Sequence, residues 1–278
     1  MKYSICSILY GNTNGFLVPT YTLEETMRRL AKIGCDGIEI LCVAPHAWPY
    51  YMSEEKIRQV NEWREKYNIQ VSSVMACPGS GQGGNVASPC KAEREWTIQY
   101  MKDVLDMAHK WECNKLCFVA GWYTFGERRI DAWNNTLDSL KQVAEYALPL
   151  GIDVCIEPTS EDSNVVDCPD DALLMAEQSG FSNVGIMFDT VHAFFRREDP
   201  ADYVYTAGKQ LRHIHFTDRD RMPPGHYDTD FYPVMQALKD IGYDGYVTME
   251  TGLPRPSGAD SASRKSLDHL KAIEAMLI

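Results

Sequence analysis

The sequence predicts an α/β protein folded as a single (β/α)8 TIM barrel. Two observations predict it. Eight short apolar runs alternate with amphipathic segments along the whole chain, and repeated βα units imply parallel strands joined by crossover helices. Four successive runs also end in an acid or a histidine, and strand C-termini at one rim are where barrels carry their chemistry. The competing layout, an open doubly wound sheet, would be favoured by a glycine-rich phosphate fingerprint. The run GSGQGG at 79–84 follows the third strand but opens a loop rather than a helix, so it is weak support for nucleotide binding.

The elements follow in order. Residues 3–9 read as a strand. Residues 21–33 carry apolar side chains at helical spacing; Thr22 and Glu25 form a capping-box pattern and Gly34 a stop. A strand at 37–43 precedes a helix at 53–67 with Ser53 as its cap. Then come a strand at 69–76, a long helix at 91–111, a strand at 115–120, a helix at 131–150 and a strand at 153–157. The second half keeps the rhythm. Helix 169–178 and strand 184–189 are followed by helix 200–208 and strand 211–217. Helix 231–241 is ended by Gly242, and strand 245–250 leads to a closing helix at 262–276. No linker or charge run divides the chain, so residues 1–278 read as one catalytic domain.

Bulk composition narrows the function. At 278 residues, with 45% hydrophobic and 24% charged residues, the chain is ordinary for a globular protein. A formal charge of −12 argues against nucleic acid and anionic membrane as partners, since both require cationic patches. No apolar run approaches the roughly 18 residues that span a bilayer. The first residues read as a strand rather than a leader, which points to the cytoplasm. Nine cysteines lack framework spacing, and Cys35, Cys117 and Cys155 lie in or beside apolar runs. A reducing compartment accounts for them, and the lone Cys113–Cys117 pair makes a poor zinc site.

The chemistry concentrates at strand ends. Glu157 in DVCIEP, Asp189 in VGIMFDTVH, His215 in LRHIHFTD and Glu250 in GYVTME each close an apolar run. Three carboxylates and an imidazole suit one hard divalent ion, Mn²⁺ in first place, with Mg²⁺ or Co²⁺ as alternatives. Taken singly, each is equally well a salt-bridge partner or a helix cap; four at equivalent positions point to a shared site. His192, three residues after Asp189, either polarises a substrate oxygen or orients a carboxylate. His213 shares a strand face with His215, one layer deeper. Asp218 either orients a ligand or caps a loop. Arg221 in RMPPG is either an oxyanion binder aimed by two prolines or a solvated loop arginine. His46 either contacts substrate or packs beside Trp48. Trp48, Trp122 and Phe194 are pocket walls or ordinary packing. No GxSxG, P-loop or HExxH is present.

At these residues the chain resembles the xylose isomerase-like barrels of sugar isomerases and epimerases, with ketose 3-epimerases of the tagatose, psicose (allulose) and fructoselysine types the nearest likeness. FDTVH is similar to the FDTFH of the allulose enzymes, and RMPPG to their R-x-P-P-G. GYDGYVTME resembles the eighth-strand signature; GIEILCVAPHAW and EPTSEDSNVV resemble the second and fifth strands of the fructoselysine enzyme. The resemblance implies that Glu157, Asp189, His215 and Glu250 hold one divalent ion and that Glu157 and Glu250 are an acid/base pair on opposite faces of a ketose. It further implies that His192 and Arg221 contact the reacting oxygens, in an epimerase that inverts C3 through a cis-enediolate. It also implies a small sugar as partner and a homodimer or homotetramer. One departure stands out: the allulose enzymes carry a further glutamate where this chain has Ser163, with Glu161 the nearby acid, and the fructoselysine segment is one residue longer. The same ligands also suit a sugar isomerase, or a C-glycoside deglycosidase subunit acting on a 3-keto sugar. A zinc endonuclease of related barrel type would need more than the seven histidines here. A non-catalytic sugar-binding subunit would not need two opposed carboxylates.

Overall fold

The computed structural model describes residues 1–11, 21–77, 84–160, 163–252 and 258–278. Most of the GSGQGG run and Glu161 lie outside them. Eight parallel strands close in chain order into a barrel, β1 pairing with β8. They are β1 (Lys2–Cys6), β2 (Gly37–Leu41), β3 (Gln70–Met75), β4 (Lys115–Val119), β5 (Asp153–Glu157), β6 (Val184–Asp189), β7 (Leu211–His215) and β8 (Tyr246–Met249). The helices outside are α1 (Leu23–Ile33), α2 (Glu54–Tyr67), α3 (Lys91–Lys110), α4 (Arg129–Ala147) and α5 (Pro169–Ser179). They continue with α6 (Thr190–Arg196), α7 (Pro200–Ala207), α8 (Tyr232–Asp240) and α9 (Ala259–Glu274). The predicted TIM barrel is therefore what the chain forms.

Local sequence explains these elements. In α1, Leu23, Met27, Leu30 and Ile33 repeat at helical spacing and all face the core. Thr22 Oγ1 accepts the Glu25 amide at 3.2 Å. The Glu25 carboxylate turns instead to Arg28 and Arg29, so only half of the expected capping box forms. Gly34 ends the helix at φ 100°, in the left-handed region that favours glycine.

Three expectations need correction. The first strand stops at Cys6, and Ser7–Tyr10 coils into a 3-10 turn. The helix expected at 131–150 stops at Ala147; Leu148–Leu150, with Pro149 inside, forms a 3-10 turn because proline cannot donate to the preceding turn. Helix α6 was not expected, since it is two turns long and starts directly from the last residue of β6.

The core has two layers. Apolar strand faces and the inner faces of the helices form the larger one, with Trp111, Tyr3, Phe118 and Phe188 fully buried. Inside the barrel sits a smaller, sulfur-rich cluster of Cys6, Leu41, Val43, Met75, Cys117, Cys155 and Met187. Reduced thiols behave there as small hydrophobes, and burial pushes the Cys117 and Cys155 thiols up. Hydroxyls share the interior: Ser72 donates to Ser4 at 3.0 Å, and Ser4 meets Thr248 on β8. Among the described residues no helix is long and apolar enough to cross a membrane.

Candidate metal centre

The closed sheet delivers four strand ends to one rim. Glu157, Asp189 and His215 are the last residues of β5, β6 and β7, and Glu250 directly follows β8. Asp189 and His215 are register partners, and His215 is level with Thr248, two residues before Glu250. One ligand atom from each of Glu157, Asp189, His215 and Glu250 lies within 4.8 Å of the others, and all four residues are buried. His215 Nδ1 is 3.2 Å from Glu250 Oε2 and 3.9 Å from Glu157 Oε1.

Each side chain is held in place. Asp189 Oδ1 accepts the Val191 amide at 3.0 Å and so caps α6, while Thr217 Oγ1 lies 3.2 Å from Oδ2. Asp189 is thus a helix cap and a member of the cluster at once. Thr217 Oγ1 also donates to the Glu250 carbonyl, tying the ends of β7 and β8 together. Arg221 Nη1 donates to Glu250 Oε2 at 3.1 Å and lies 3.6 Å from Asp189 Oδ2. Its backbone is special: Asp220 and Arg221 both have φ near 56°, which costs non-glycine residues of order 1–3 kcal/mol each. Asp218 stabilises this turn by accepting from the Arg219 and Tyr227 amides and from Thr229. Of its two sequence readings, the loop cap is the one observed, and Arg221 points into the cluster rather than into solvent.

His192, in the first turn of α6, is buried with Nε2 3.8 Å from Glu157 Oε1. Its carbonyl accepts from Ser160 at 3.0 Å. Ser163, at the position of the allulose enzymes' extra glutamate, folds back: its amide donates to the Thr159 carbonyl at 2.7 Å and its hydroxyl meets that of Thr159. The aromatic candidates have partners of their own. His46 Nε2 is 3.0 Å from the Tyr21 carbonyl. With Trp48 it lines a cavity of about 290 Å³ against Leu23 of α1 and Val60 and Trp63 of α2. Trp48 also packs on Tyr100, ring centroids 5.1 Å apart. Trp122 stands on the rim after β4 and is 40% exposed. Asn85 clamps its backbone, receiving the Trp122 amide at 3.2 Å and donating to its carbonyl at 2.7 Å. Gly121 permits this: at φ +78°, an added Cβ would lie 2.2 Å from Asn85 Oδ1. Phe194 packs edge-on against Phe231.

Sequence reasoning missed Glu39. It lies on β2 with no exposure, and its Oε2 accepts from His215 Nε2 at 2.9 Å, His213 Nε2 at 3.0 Å and Ser73 Oγ at 2.6 Å, with Cys117 Sγ at 3.4 Å. The available signal was a lone acid inside the apolar strand GIEIL, because a buried charge requires partners.

Electrostatics divide the acids. Burial raises the Glu157 carboxyl well above the usual range; Glu250 and Asp189 add to the rise, and His215 opposes it. Burial likewise lifts Asp189, to about 7, against the pull of Arg221. Glu250 is buried too, yet Arg221 and His215 outweigh burial and hold it down at about 2. Burial depresses His192 to about 3, helped by the Arg221 charge, so its imidazole is neutral. Three buried carboxyls crowded onto one imidazole resist ionising together, which a cation among them would reverse, and oxygen donors with one nitrogen fit a hard divalent ion.

Buried acids and imidazole at the C-terminal rim of a closed eight-stranded barrel define the class: a TIM barrel with an enzyme-type site. The chain belongs to the xylose isomerase-like TIM barrel family, whose model matches residues 27–273. It is 26% identical over 230 residues to the D-psicose 3-epimerase of Ruminiclostridium cellulolyticum, covering 81% of this chain and 76% of that protein. It is 24% identical over 257 residues to the fructoselysine 3-epimerase of Escherichia coli O157:H7, covering 90% of this chain and 93% of that protein. A crystal structure of a D-psicose 3-epimerase in the presence of D-fructose shares the fold at a TM-score of 0.85, with 19% identity and 99% of each chain covered.

Proposed function

We propose that this isomerase-type enzyme is a metal-dependent sugar epimerase that inverts C3 of a ketose, a ketohexose or a fructosamine-type sugar. The observation that carries the reading is geometric: the buried carboxyls of Glu157 and Glu250, delivered by β5 and β8, both face His215 Nδ1, at 3.9 and 3.2 Å, within one four-residue cluster. Two carboxyls meeting at one site can serve as one acid and one base. Glu157, Asp189, His215 and Glu250 would hold the ion, with Mn²⁺ the first candidate. When bound, such an ion supplies a Lewis acid that draws charge from the oxygens at C2 and C3.

The chain's own groups then act as follows. One of the two glutamates, Glu157 or Glu250, takes the C3 proton, which the neighbouring carbonyl makes acidic; the electron pair moves into a cis-enediolate. The other returns a proton to C3 from the opposite face and inverts the centre. Each transfer contributes roughly 10²–10⁴-fold. The Arg221 guanidinium and the neutral His192 imidazole donate to the oxygens on which charge grows. Exchanging the two glutamates' protonation states runs the reaction backwards. In this reading residues 1–278 work as one catalytic domain on a small sugar in the cytoplasm, as a homodimer or homotetramer.

The test is turnover of a ketose panel in D2O, followed by proton NMR with Mn²⁺ present. Deuterium entering C3 with inversion supports the reading. Glu157→Gln and Glu250→Gln are each expected to abolish turnover while the barrel still folds. Full activity in either variant refutes it, and release of a C-linked aglycone from a 3-keto sugar would transfer the site to elimination chemistry.

A further inference from the structure

Four candidate ligands, Glu157, Asp189, His215 and Glu250, meet at the rim. The barrel interior beneath it holds a second layer of polar side chains. Glu39 reaches across the barrel from β2 to β7, strands separated in the ring by β1 and β8. The pairing of β2 with β3 slips between Ile38 and Glu39, and beyond the slip Glu39 is level with Ser73. Register slips of this kind re-aim side chains, and here Ser73 Oγ donates to Glu39.

Glu39 commits one oxygen to this work. Its Oε2 meets Ser73, His213, His215 and Cys117, while Oε1 is buried without a hydrogen-bond partner among the described residues. A carboxylate oxygen can only accept, so the His215 Nε2 facing it at 2.9 Å must carry a proton. A bare Nε2 there would set two lone pairs against each other in a buried interior. Nδ1 faces Glu250 Oε2 at 3.2 Å, so in the metal-free chain a proton there is held too; a cation among the rim carboxylates would take the place of that proton, which leaves the ring's single N–H at Nε2 on Glu39 and the lone pair at Nδ1. Nδ1 is the atom that faces Glu250 and Glu157.

We infer that Glu39 is a positioning residue for the metal centre, fixing the His215 tautomer that presents Nδ1 to the site formed by Glu157, Asp189 and Glu250. The inference rests on the metal-dependent reading above and deepens it. Carboxylate–histidine–metal relays are a general device, and loss of the carboxylate typically costs 10–100-fold in metal affinity. Ser73 and His213 in turn hold Glu39: their donors pin its oxygen from two other strands, β3 and β7. Cys117, His213, His215 and Glu39 also lie close enough to suggest a second metal site. The directions argue otherwise, because all the other atoms point at a single oxygen of Glu39.

The experiment measures Mn²⁺ binding to metal-stripped protein by calorimetry, with no sugar present. Wild type is expected to bind one ion per chain. Glu39→Gln is expected to bind it 10–100-fold more weakly. Ser73→Ala, which leaves the carboxylate in place but releases one of its anchors, is expected to weaken binding by a smaller factor and decides the matter if Glu39→Gln does not fold. A second readout follows the His215 ring in ¹⁵N-histidine-labelled protein loaded with Zn²⁺ as a diamagnetic probe. Wild type should show a strongly deshielded Nε2–H proton, and Glu39→Gln should move that signal upfield. A purely structural role for Glu39 would leave the signal where it is. Wild-type affinity in both variants, or an unmoved Nε2–H signal, overturns the inference and leaves the metal centre standing. Two ions per wild-type chain overturns it in favour of Glu39 as a ligand. A wild type that binds no divalent ion fails the metal reading itself.

Discussion

Loading with a divalent ion should stabilise the metal-free protein by a calculable amount. Without a cation, the rim buries Glu157, Asp189 and Glu250 around one imidazole, and an ion that binds only the folded chain relieves that crowding. An ion at about 1,000 times its Kd adds roughly 4 kcal/mol by mass action. Unfolding entropy near about 2.1 cal/mol/K per residue gives roughly 0.6 kcal/mol/K for 278 residues, so Tm should rise by about 7 °C. Asp189→Asn should separate the site from the fold. Asparagine can still accept the Val191 amide and cap α6, and it removes a carboxyl that resists burial, so the metal-free Tm should not fall. A hundredfold weaker site leaves the ion at about 10 times Kd, worth roughly 1.4 kcal/mol and about 2–3 °C. The assay is thermal unfolding of chelator-stripped wild type and variant, with 1 mM Mn²⁺, Mg²⁺ or Co²⁺ and with chelator restored. No shift with any ion at pH 8, or a full wild-type shift in Asp189→Asn, would refute the reasoning.

Three further outcomes are expected. Asp189 is raised in the folded, metal-free chain to about 7 from an ordinary 3.8, so its folded-state proton contributes stability below about pH 4 that is lost as pH rises through 7; since an ion must displace that proton, the Tm gain on Mn²⁺ addition should be larger at pH 8 than at pH 6. Arg221→Gln removes the charge that holds Glu250 down, so the acid limb of kcat should move to higher pH and kcat itself should fall roughly 10²–10³-fold, the usual cost of one charge-stabilising donor. Leu30→Ala, in the wholly buried stripe of α1, should cost about 2–5 kcal/mol in denaturant unfolding without altering metal affinity, because the cavity opens under the helices, far from the rim.

Much of this molecule can be read from local pattern. Apolar runs at strand length, helical spacing in 23–33, the cap at Thr22 and the stop at Gly34 are short-range features, because they depend on neighbours within a few residues. The four strand-end ligands were legible for a related reason: topology, once known, brings parallel strand ends to one rim. Helix α6 escaped because two turns give too little periodicity, and Asp189 serves as both strand end and cap. His46 and Trp48, which follow β2, line a cavity with residues of α1 and α2, a grouping that only the packed structure reveals.

Other features belong to the tertiary structure alone. Whether Arg221 met solvent or a carboxylate depended on a left-handed turn at Asp220 and Arg221, which no side-chain type specifies there. Glu39 and His215 lie 176 positions apart in sequence, and only closure of the ring brings them to hydrogen-bond distance. The same closure decides protonation. Carboxylic acids of the same chemical type end with opposite shifts because burial prevails at Glu157, while at Glu250 the charges of Arg221 and His215 outweigh it. The sequence by itself determined which groups are present and which strand each one ends. Their distances, and through the low dielectric of a buried site their charges, were decided only when the barrel closed.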